Sequence, residues 1–221
     1  MYITVSETIS VLIKFKVRGN LRFLSHAETV RVFQRACARA GIKIKYSQGF
    51  NPHPKLSLPL PRSVGVESDE DLLCLRIDGS TGDSYTLIKA ELAEQLPEGL
   101  ELLSIEVAKA KSTPQPCLVT YVFSAGLECL NDKLKDTIRR VLASDSLLVT
   151  RNPPDTKHKL KNVDVRPFLQ SIKLEQRGIV VQSKVSSGGS IRVEEILKLL
   201  ELDTAKLTAP IRRTAVQWQC N

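Results

Sequence analysis

Three arginines recur at every fourth position of one segment, and a row of this kind can bind phosphate. Arg31, Arg35 and Arg39 lie within residues 18–41. In a helix, side chains four residues apart share a face, so the three guanidinium groups would form one stripe. Guanidinium groups bind phosphates through paired hydrogen bonds and also stack on bases, which makes them more informative than lysines. The spacing predicts a polyanion-binding helix, with ordinary solvated surface charges as the alternative.

The start of the same helix carries further groups that could hold an anion. Arg22, Ser25 and His26 stand where the chain is expected to enter the helix. The free N–H groups of a first helical turn and the positive end of the helix dipole favour a negative charge. Ser25 followed by Glu28 also fits a capping box, so a purely capping role for Ser25 and a structural role for His26 are the alternatives.

The segment YSQGFNPHPK, residues 46–55, contains more aromatic, hydrogen-bonding and cationic side chains than a turn requires. Its glycine and two prolines suit a bent backbone, but turns usually add only small polar side chains to these. Phe50 either fills the core or joins an aromatic platform. We expect the segment to fold back beside Arg31 and His26 as the second wall of an anion or nucleotide site. Its candidate binding residues are Tyr46, Asn51, His53 and Lys55.

The charge of the chain is distributed in blocks. The formal net charge is +8. Residues 1–65 hold 11 Lys and Arg against 2 Glu, residues 66–106 hold 2 against 11, and residues 107–221 hold 19 against 11. Basic clustering is the electrostatic footprint of a polyanion partner such as RNA, although a solvated basic surface without a partner has the same composition.

The cysteines and the apolar runs argue against several classes of protein. The five cysteines are scattered, without a C-x-x-C pair, which argues against a zinc site, an iron–sulfur cluster or a disulfide framework. We therefore predict no metal and no other cofactor. No run approaches the roughly 18 to 20 apolar residues of a membrane span, and the first ten residues lack the order of a secretory signal. We expect a cytoplasmic protein without a membrane partner.

The elements that must position these residues follow the order β-α-β-β-α-β. In the first half, period-two and helical patterns predict strands at 10–18, 42–46, 71–77 and 100–108 and helices at 25–41 and 84–96. In the second half they predict strands at 117–125, 146–151, 171–176, 178–185 and 212–218 and helices at 128–143 and 192–202.

That order is typical of a ferredoxin-like unit, an antiparallel sheet with both helices on one face. A basic, proline-bearing stretch at 109–116 suits a linker between two such units. The predicted fold class is therefore α+β, with two tandem ferredoxin-like halves at 1–110 and 111–221.

Four short motifs in the first half resemble one known family. They are FLSH at 23–26, YS at 46–47, GFNPHPK at 49–55 and GVES at 65–68. This run is similar to the radical-SAM-linked protein family, a bacterial domain of unknown function found beside, or fused to, a radical SAM protein. The resemblance implies a radical SAM protein encoded nearby as a partner, and it implies no reaction for this chain.

Three functions follow from these observations. The leading one is an RNA-binding accessory module that acts on tRNA or rRNA together with a radical SAM modification enzyme. The second is a metal-independent ribonuclease, by analogy of fold with the CRISPR repeat-processing endoribonucleases, with His26 or His53 as general base or acid. The third is a protein-binding adaptor whose acidic segment, residues 66–106, docks a basic partner. We favour a non-catalytic accessory domain.

Overall fold

The chain forms two units, each built from antiparallel strands and two α-helices. The computed structural model describes residues 8–78, 85–108, 113–152 and 160–219. Unit 1 comprises residues 1–115 and 219–221, and unit 2 comprises residues 116–218. The predicted mixed α+β class is confirmed.

Unit 1 contains four strands and two α-helices in the described residues. The strands are β1 (Thr8–Val17), β2 (Leu56–Ser57), β3 (Glu67–Asp78) and β4 (Leu100–Val107), and the helices are α1 (His26–Arg39) and α2 (Tyr85–Glu94). The strand order is β2-β3-β1-β4, and each neighbouring pair is antiparallel. The long central strand β1 is thus held on both edges.

Both helices of unit 1 cover the same face of its sheet. Alternate residues of β1 are buried, and the period of two places Val11, Ile13, Phe15 and Val17 on one face. Phe33 of α1 packs edge-to-face on Phe15, with ring centroids 4.7 Å apart. Ile88 and Leu92 of α2 belong to the same buried cluster. This core fixes α1 against the sheet and leaves its opposite face in solvent.

Unit 2 has the same alternation of strands and helices as unit 1, with an additional pair of antiparallel strands. Its elements are β5 (Gln115–Ser124), α3 (Asp132–Ala143), β6 (Leu148–Arg151), β7 (Lys161–Asp164), β8 (Leu169–Glu175), β9 (Gly178–Ser186), β10 (Gly189–Ser190), α4 (Val193–Leu199) and β11 (Arg212–Gln219). Strand β9 pairs with β8, β10 and β5, and β5 also neighbours β11. Strands β6 and β7 pair only with each other in the described part of the chain.

Most predicted elements are present with shifted ends, and the differences have local causes. The predicted strand at 42–46 is replaced by two isolated bridges, because Ile44 pairs with Ile77 whereas Tyr46 pairs with Pro54. Helix α3 begins at Asp132 because the Asn131 side chain accepts a 3.0 Å hydrogen bond from the N–H of Leu134. Residues 109–112 of the predicted linker lie outside the described residues. Among the residues that are described, no helix has the length and apolar character required to cross a membrane.

Candidate functional site

A buried arginine holds the loop that leads into α1. The Arg62 side chain is only 5 % exposed, and it approaches Asp71 at 3.9 Å. The four shortest hydrogen bonds from its guanidinium go to the carbonyls of Arg22 at 2.7 Å, Val66 at 2.5 Å, Leu21 at 3.2 Å and Leu24 at 3.4 Å, and a longer one reaches Ser63 at 3.5 Å. Because one planar group gathers four carbonyls, the turn formed by Gly19–Phe23 is held in place and sets the start of α1.

The chain's own carboxylate occupies the N-terminus of α1. Ser25 and Glu28 form the predicted capping box: the N–H of Glu28 donates to Ser25 Oγ at 3.3 Å, and the N–H of Ser25 donates to Glu28 Oε2 at 2.8 Å. The hydrogen bond from the Ser25 hydroxyl, followed by that from its backbone N–H, lowers the pKa of Glu28 below its usual value. The helix end therefore already carries a negative charge, and Ser25 serves as its cap.

Arg22 and His26 lie exposed or half-exposed at this end of α1. The Arg22 guanidinium donates to the Gly19 carbonyl at 2.8 Å and lies 4.3 Å from the centre of the Phe23 ring. His26 is the first residue of α1 and its side chain is in solvent. Neither side chain is drawn into the core, so both are accessible from outside.

The row of three arginines on α1 divides into two groups. The Arg39 guanidinium donates to the Gln95 side chain at 3.2 Å and to its carbonyl at 2.6 Å. Arg31 and Arg35 are exposed, and neither has a hydrogen bond or ion-pair partner in the described part of the chain. Each fourth residue turns about 40° around a helix, so the row drifts until Arg39 reaches the end of α2. Two guanidinium groups remain available to a ligand.

Residues 45–55 form a closed hairpin, called the hairpin below. The backbone of Arg76 holds the base of the hairpin. The Arg76 carbonyl accepts from the N–H of Lys45 at 2.7 Å, and the Arg76 N–H donates to the carbonyl of Lys55 at 2.9 Å. Higher up, the N–H of Ser47 donates to the His53 carbonyl at 2.8 Å, and the N–H of His53 donates to Ser47 Oγ at 2.9 Å. Residues 45–55 are therefore held in one conformation by hydrogen bonds to Arg76 of β3 and between Ser47 and His53.

The tip of the hairpin, residues 48–52, is exposed at every position. Gly49 has a φ of +125°, which side-chain-bearing residues rarely adopt. The Phe50 side chain is 106 % exposed and touches no core. Of the two roles expected for Phe50, filling the core is therefore wrong.

A groove of about 470 Å³ separates α1 from the hairpin. It is called the α1–hairpin groove below, and its lining residues are Gln34, Ala38, Ile42, Lys43, Ile44, Tyr46 and Pro54. None of these residues is acidic. Arg31 precedes Gln34 by three positions and Arg35 precedes Ala38 by three, so both arginines border the groove from the helix side.

The remaining predicted site residues do not line this groove. His26 precedes Gln34 by eight residues, which is about 12 Å along the helix axis. Lys55 lines a separate cavity of about 280 Å³ with Ser57 and Cys74. Asn51 and His53 are exposed in the upper part of the hairpin. The candidate residues thus fall into a helix-start group, a groove group and a hairpin-tip group, with Lys55 apart from all three in the second cavity.

Six of the eleven acidic residues at 66–106, Asp71 among them, form ion pairs with cations of unit 1. Glu70 pairs with Lys14 at 2.6 Å, Glu101 pairs with Lys16 at 3.3 Å, and Asp78 pairs with Lys45 at 3.0 Å. Further pairs join Asp69 and Glu67 to Arg18. These pairs lie along the strands and at the hairpin base, so the cations without such partners concentrate on α1 and around the groove.

Of the seven lining residues only Tyr46 was in the predicted set; the polar lining residues Gln34 and Lys43 and the supporting Arg62 were absent from it. One sequence signal could have indicated them: no Asp or Glu occurs between Glu28 and Glu67. This acid-free stretch contains most of α1, the hairpin and the groove lining. The absence of acidic residues from this stretch can be read directly from the sequence.

The cysteines of unit 1 are not poised for chemistry. Burial raises the pKa of Cys37 to about 12 and that of Cys74 to about 11. A thiol with so high a pKa holds almost no thiolate near neutral pH. In the described ranges, no three His, Cys, Asp or Glu side chains come together as a metal site would require.

The chain matches a known family model over most of its length. A family model described as "Uncharacterized protein conserved in bacteria (DUF2344)" matches residues 10–195. The match spans both units and includes α1 and the hairpin. No curated protein matches the chain.

Proposed function

The chain belongs to the DUF2344 family of uncharacterized bacterial proteins, and we propose that it is an RNA-binding module whose α1–hairpin groove receives the RNA. The proposal is carried by the groove together with two exposed arginines, Arg31 and Arg35, which the helical spacing places beside its lining residues Gln34 and Ala38. Arg31 and Arg35 supply phosphate-binding guanidinium groups, and Tyr46 supplies an aromatic wall. Single-stranded nucleic acid is bound by this combination of a cationic groove and aromatic faces.

The local charge supports the proposal more strongly than the net charge does. Lys43 lines the groove, and no carboxylate does. Arg31, Arg35 and Lys43 form no salt bridge among the described residues, although Arg31 is attracted to Glu28, so they can neutralise phosphates without first breaking a salt bridge. Part of the acidic block, which would favour a basic protein as the partner, already pairs with cations of unit 1, at Glu67, Asp69, Glu70, Asp78 and Glu101.

Salt dependence tests the proposal. The dissociation constant for a labelled bacterial tRNA or rRNA fragment is measured by fluorescence anisotropy over a range of salt concentrations. Replacing Arg31 and Arg35 together by Ala should weaken binding and reduce the slope of log affinity against log salt by about 1.4, since each phosphate contact on a single strand contributes about 0.7.

A matched control removes two exposed cations from unit 2. Lys173 lies on β8 and Lys184 on β9, and both are exposed. Replacing both by Ala changes the net charge by the same amount and should leave the slope unchanged. Equal loss in the two double variants, or no binding at low salt, would overturn the proposal. RNA recovered from reactions in EDTA should be intact, whereas cleavage that disappears in His26→Ala would indicate the ribonuclease alternative.

The partner proposal rests on the resemblance of the FLSH and GFNPHPK motifs to the radical-SAM-linked family. We propose that the module acts in the cytoplasm with a radical SAM enzyme that modifies tRNA or rRNA, and that it presents the RNA to that enzyme. Co-purification of the radical SAM protein from nuclease-treated cells supports a direct contact. Co-purification that nuclease abolishes would instead indicate that the RNA bridges the two proteins.

We also propose that each unit is a ferredoxin-like half. The antiparallel order β2-β3-β1-β4 of unit 1 and the placement of α1 and α2 on one face support this for the first half. In unit 2, β8, β9, β5 and β11 lie in the corresponding order, with β6 and β7 as an insertion before β8. The sheets then serve as rigid supports for the loops that carry function.

A further inference from the structure

The tip of the hairpin carries an aromatic side chain that the fold itself does not use. Phe50 is 106 % exposed, and exposing a Phe forgoes the hydrophobic stabilisation that burial would supply. A single exposed apolar residue on a mobile surface loop would be unremarkable. Phe50, however, stands on a segment whose backbone is closed at two levels.

Rigidity distinguishes this tip from an ordinary loop. Arg76 clamps the base of the hairpin, and Ser47 and His53 are joined by two hydrogen bonds just below the tip. Pro52 and Pro54 fix two further φ angles. A side chain held in one place before binding loses less conformational freedom when it meets a ligand, so the tip is pre-organised for contact.

The polar side chains near Phe50 can form hydrogen bonds with the edge of a nucleotide base. Gln48 and Asn51 flank it with amide groups that can donate to and accept from a base edge, and both are exposed. The groove at the foot of the hairpin carries Lys43 and Tyr46. No carboxylate occurs in the chain between Glu28 and Glu67, so nothing in this segment repels a phosphate backbone.

We propose that Phe50 is a stacking residue for an unpaired base, and that the RNA bound by this module is recognised at a loop, bulge or single-stranded end. The inference rests on the proposed function and adds the class of substrate to it. Within a duplex both faces of each base are stacked, so a projecting phenyl ring can enter only where a base is unpaired or at a strand end. The arginines of α1 then hold the phosphates on either side of that base.

Two RNAs with the same stem separate the parts of this proposal. One stem is closed by a loop of unpaired nucleotides, and the other is a blunt duplex. The wild-type protein should bind the looped RNA more tightly. Phe50→Ala should weaken binding of the looped RNA by about 5- to 150-fold, the value of one stacked base, and leave duplex binding within about twofold. Phe50→Tyr keeps an aromatic face and should retain the preference.

A cross-link locates the base directly. Looped RNA with 5-iodouridine in the loop is irradiated with the full-length protein, and the modified peptide is identified by mass spectrometry. The expected peptide contains Phe50. Because that side chain touches no core, Phe50→Ala should melt at the wild-type temperature, so a loss of binding cannot be ascribed to unfolding.

The outcomes distinguish this inference from the proposed function. If Arg31→Ala with Arg35→Ala weakens both RNAs while Phe50→Ala weakens neither, RNA binding stands and base stacking is overturned. Equal affinity of the wild-type protein for looped and duplex RNA also overturns stacking, as does a cross-link confined to unit 2. If neither RNA binds at low salt, the proposed function and this inference fall together.

Discussion

Arg62 and Arg35 carry the same guanidinium group, and burial gives them opposite roles. Arg62 is enclosed, with Asp71 nearby and four carbonyls accepting its N–H groups. Arg35 stands in solvent on α1 without a partner among the described residues. The N–H groups of Arg62 that donate to backbone carbonyls cannot also donate to a ligand, whereas all the N–H groups of Arg35 remain available. Only one of the two is therefore a candidate for binding RNA.

Arg62→Ala should lower the free energy of unfolding by about 3 to 5 kcal/mol, because it removes the cation 3.9 Å from the buried carboxylate of Asp71 and the donors to four carbonyls. Urea denaturation measures the change. Arg35→Ala, an equally large truncation of an exposed arginine, should change stability by no more than about 0.5 kcal/mol. Similar losses in the two variants would show that the loop before α1 does not depend on Arg62.

At the scale of the element, the hairpin shows how a short segment becomes rigid without a strand. Its backbone contacts come from Arg76 at the base, from the Lys55 N–H that donates to the Lys45 carbonyl at 2.7 Å, and from the Ser47–His53 pair higher up. The turn itself needs the positive φ of Gly49. Rigidity here comes from a few specific hydrogen bonds and not from a ladder, so one substitution in the turn can disturb the whole tip.

Gly49→Ala should destabilise the hairpin locally by about 1 to 3 kcal/mol, because a Cβ strains a backbone held at a φ of +125°. Hydrogen exchange of the Ser47 and His53 amides should become faster, while the core of unit 1 is unaffected. Gly188→Ala is the matched control, since Gly188 lacks a positive φ and its added Cβ would meet only Ser186 Oγ at 3.5 Å. Unchanged exchange at Ser47 in Gly49→Ala would mean that the turn tolerates a side chain.

At the scale of the whole molecule, carboxylates across both units are more acidic than usual. Five of them have a lowered pKa: Glu28, Asp132, Asp164, Glu195 and Glu201. At Asp164 the N–H groups of Leu147 and Arg166 are the main cause. Burial raises the pKa of Glu195, but the hydrogen bonds from Arg151 and from the N–H of Arg192 lower it by more, so the pKa of Glu195 lies below its usual value. The ionised forms therefore stabilise the native state.

Stability should fall as the pH drops from about 5 towards 3. A carboxylate whose native pKa is depressed contributes stability above its unfolded value, 3.8 for Asp and 4.5 for Glu, and loses it as the pH falls through the native value. Lys14, whose pKa is raised chiefly by its hydrogen bond to Glu70, should lose its contribution only above pH 10.5. Urea midpoints measured from pH 3 to 9 test this, and a midpoint independent of pH below 5 would contradict it.

The sequence by itself was sufficient for the features that depend on neighbours in the chain. The capping box of Ser25 and Glu28 spans three residues, and the alternation of β1 and the apolar stripe of α1 repeat within one element, so periodicity and spacing reveal them. For the same reason the mixed α+β class and most elements were predictable. The hairpin was recognisable as unusual, but not as a projection.

Only the tertiary structure decided which of the candidate groups remain free. Arg39 is engaged by Gln95, 56 residues away, and Arg62 by the carbonyl of Arg22, 40 residues away. The groove lies between α1 and the hairpin, and the hairpin base is hydrogen-bonded to the Arg76 backbone of β3 while Phe50 at the tip stays exposed. Such contacts join residues distant in sequence, and their energies depend on burial, which no local pattern encodes.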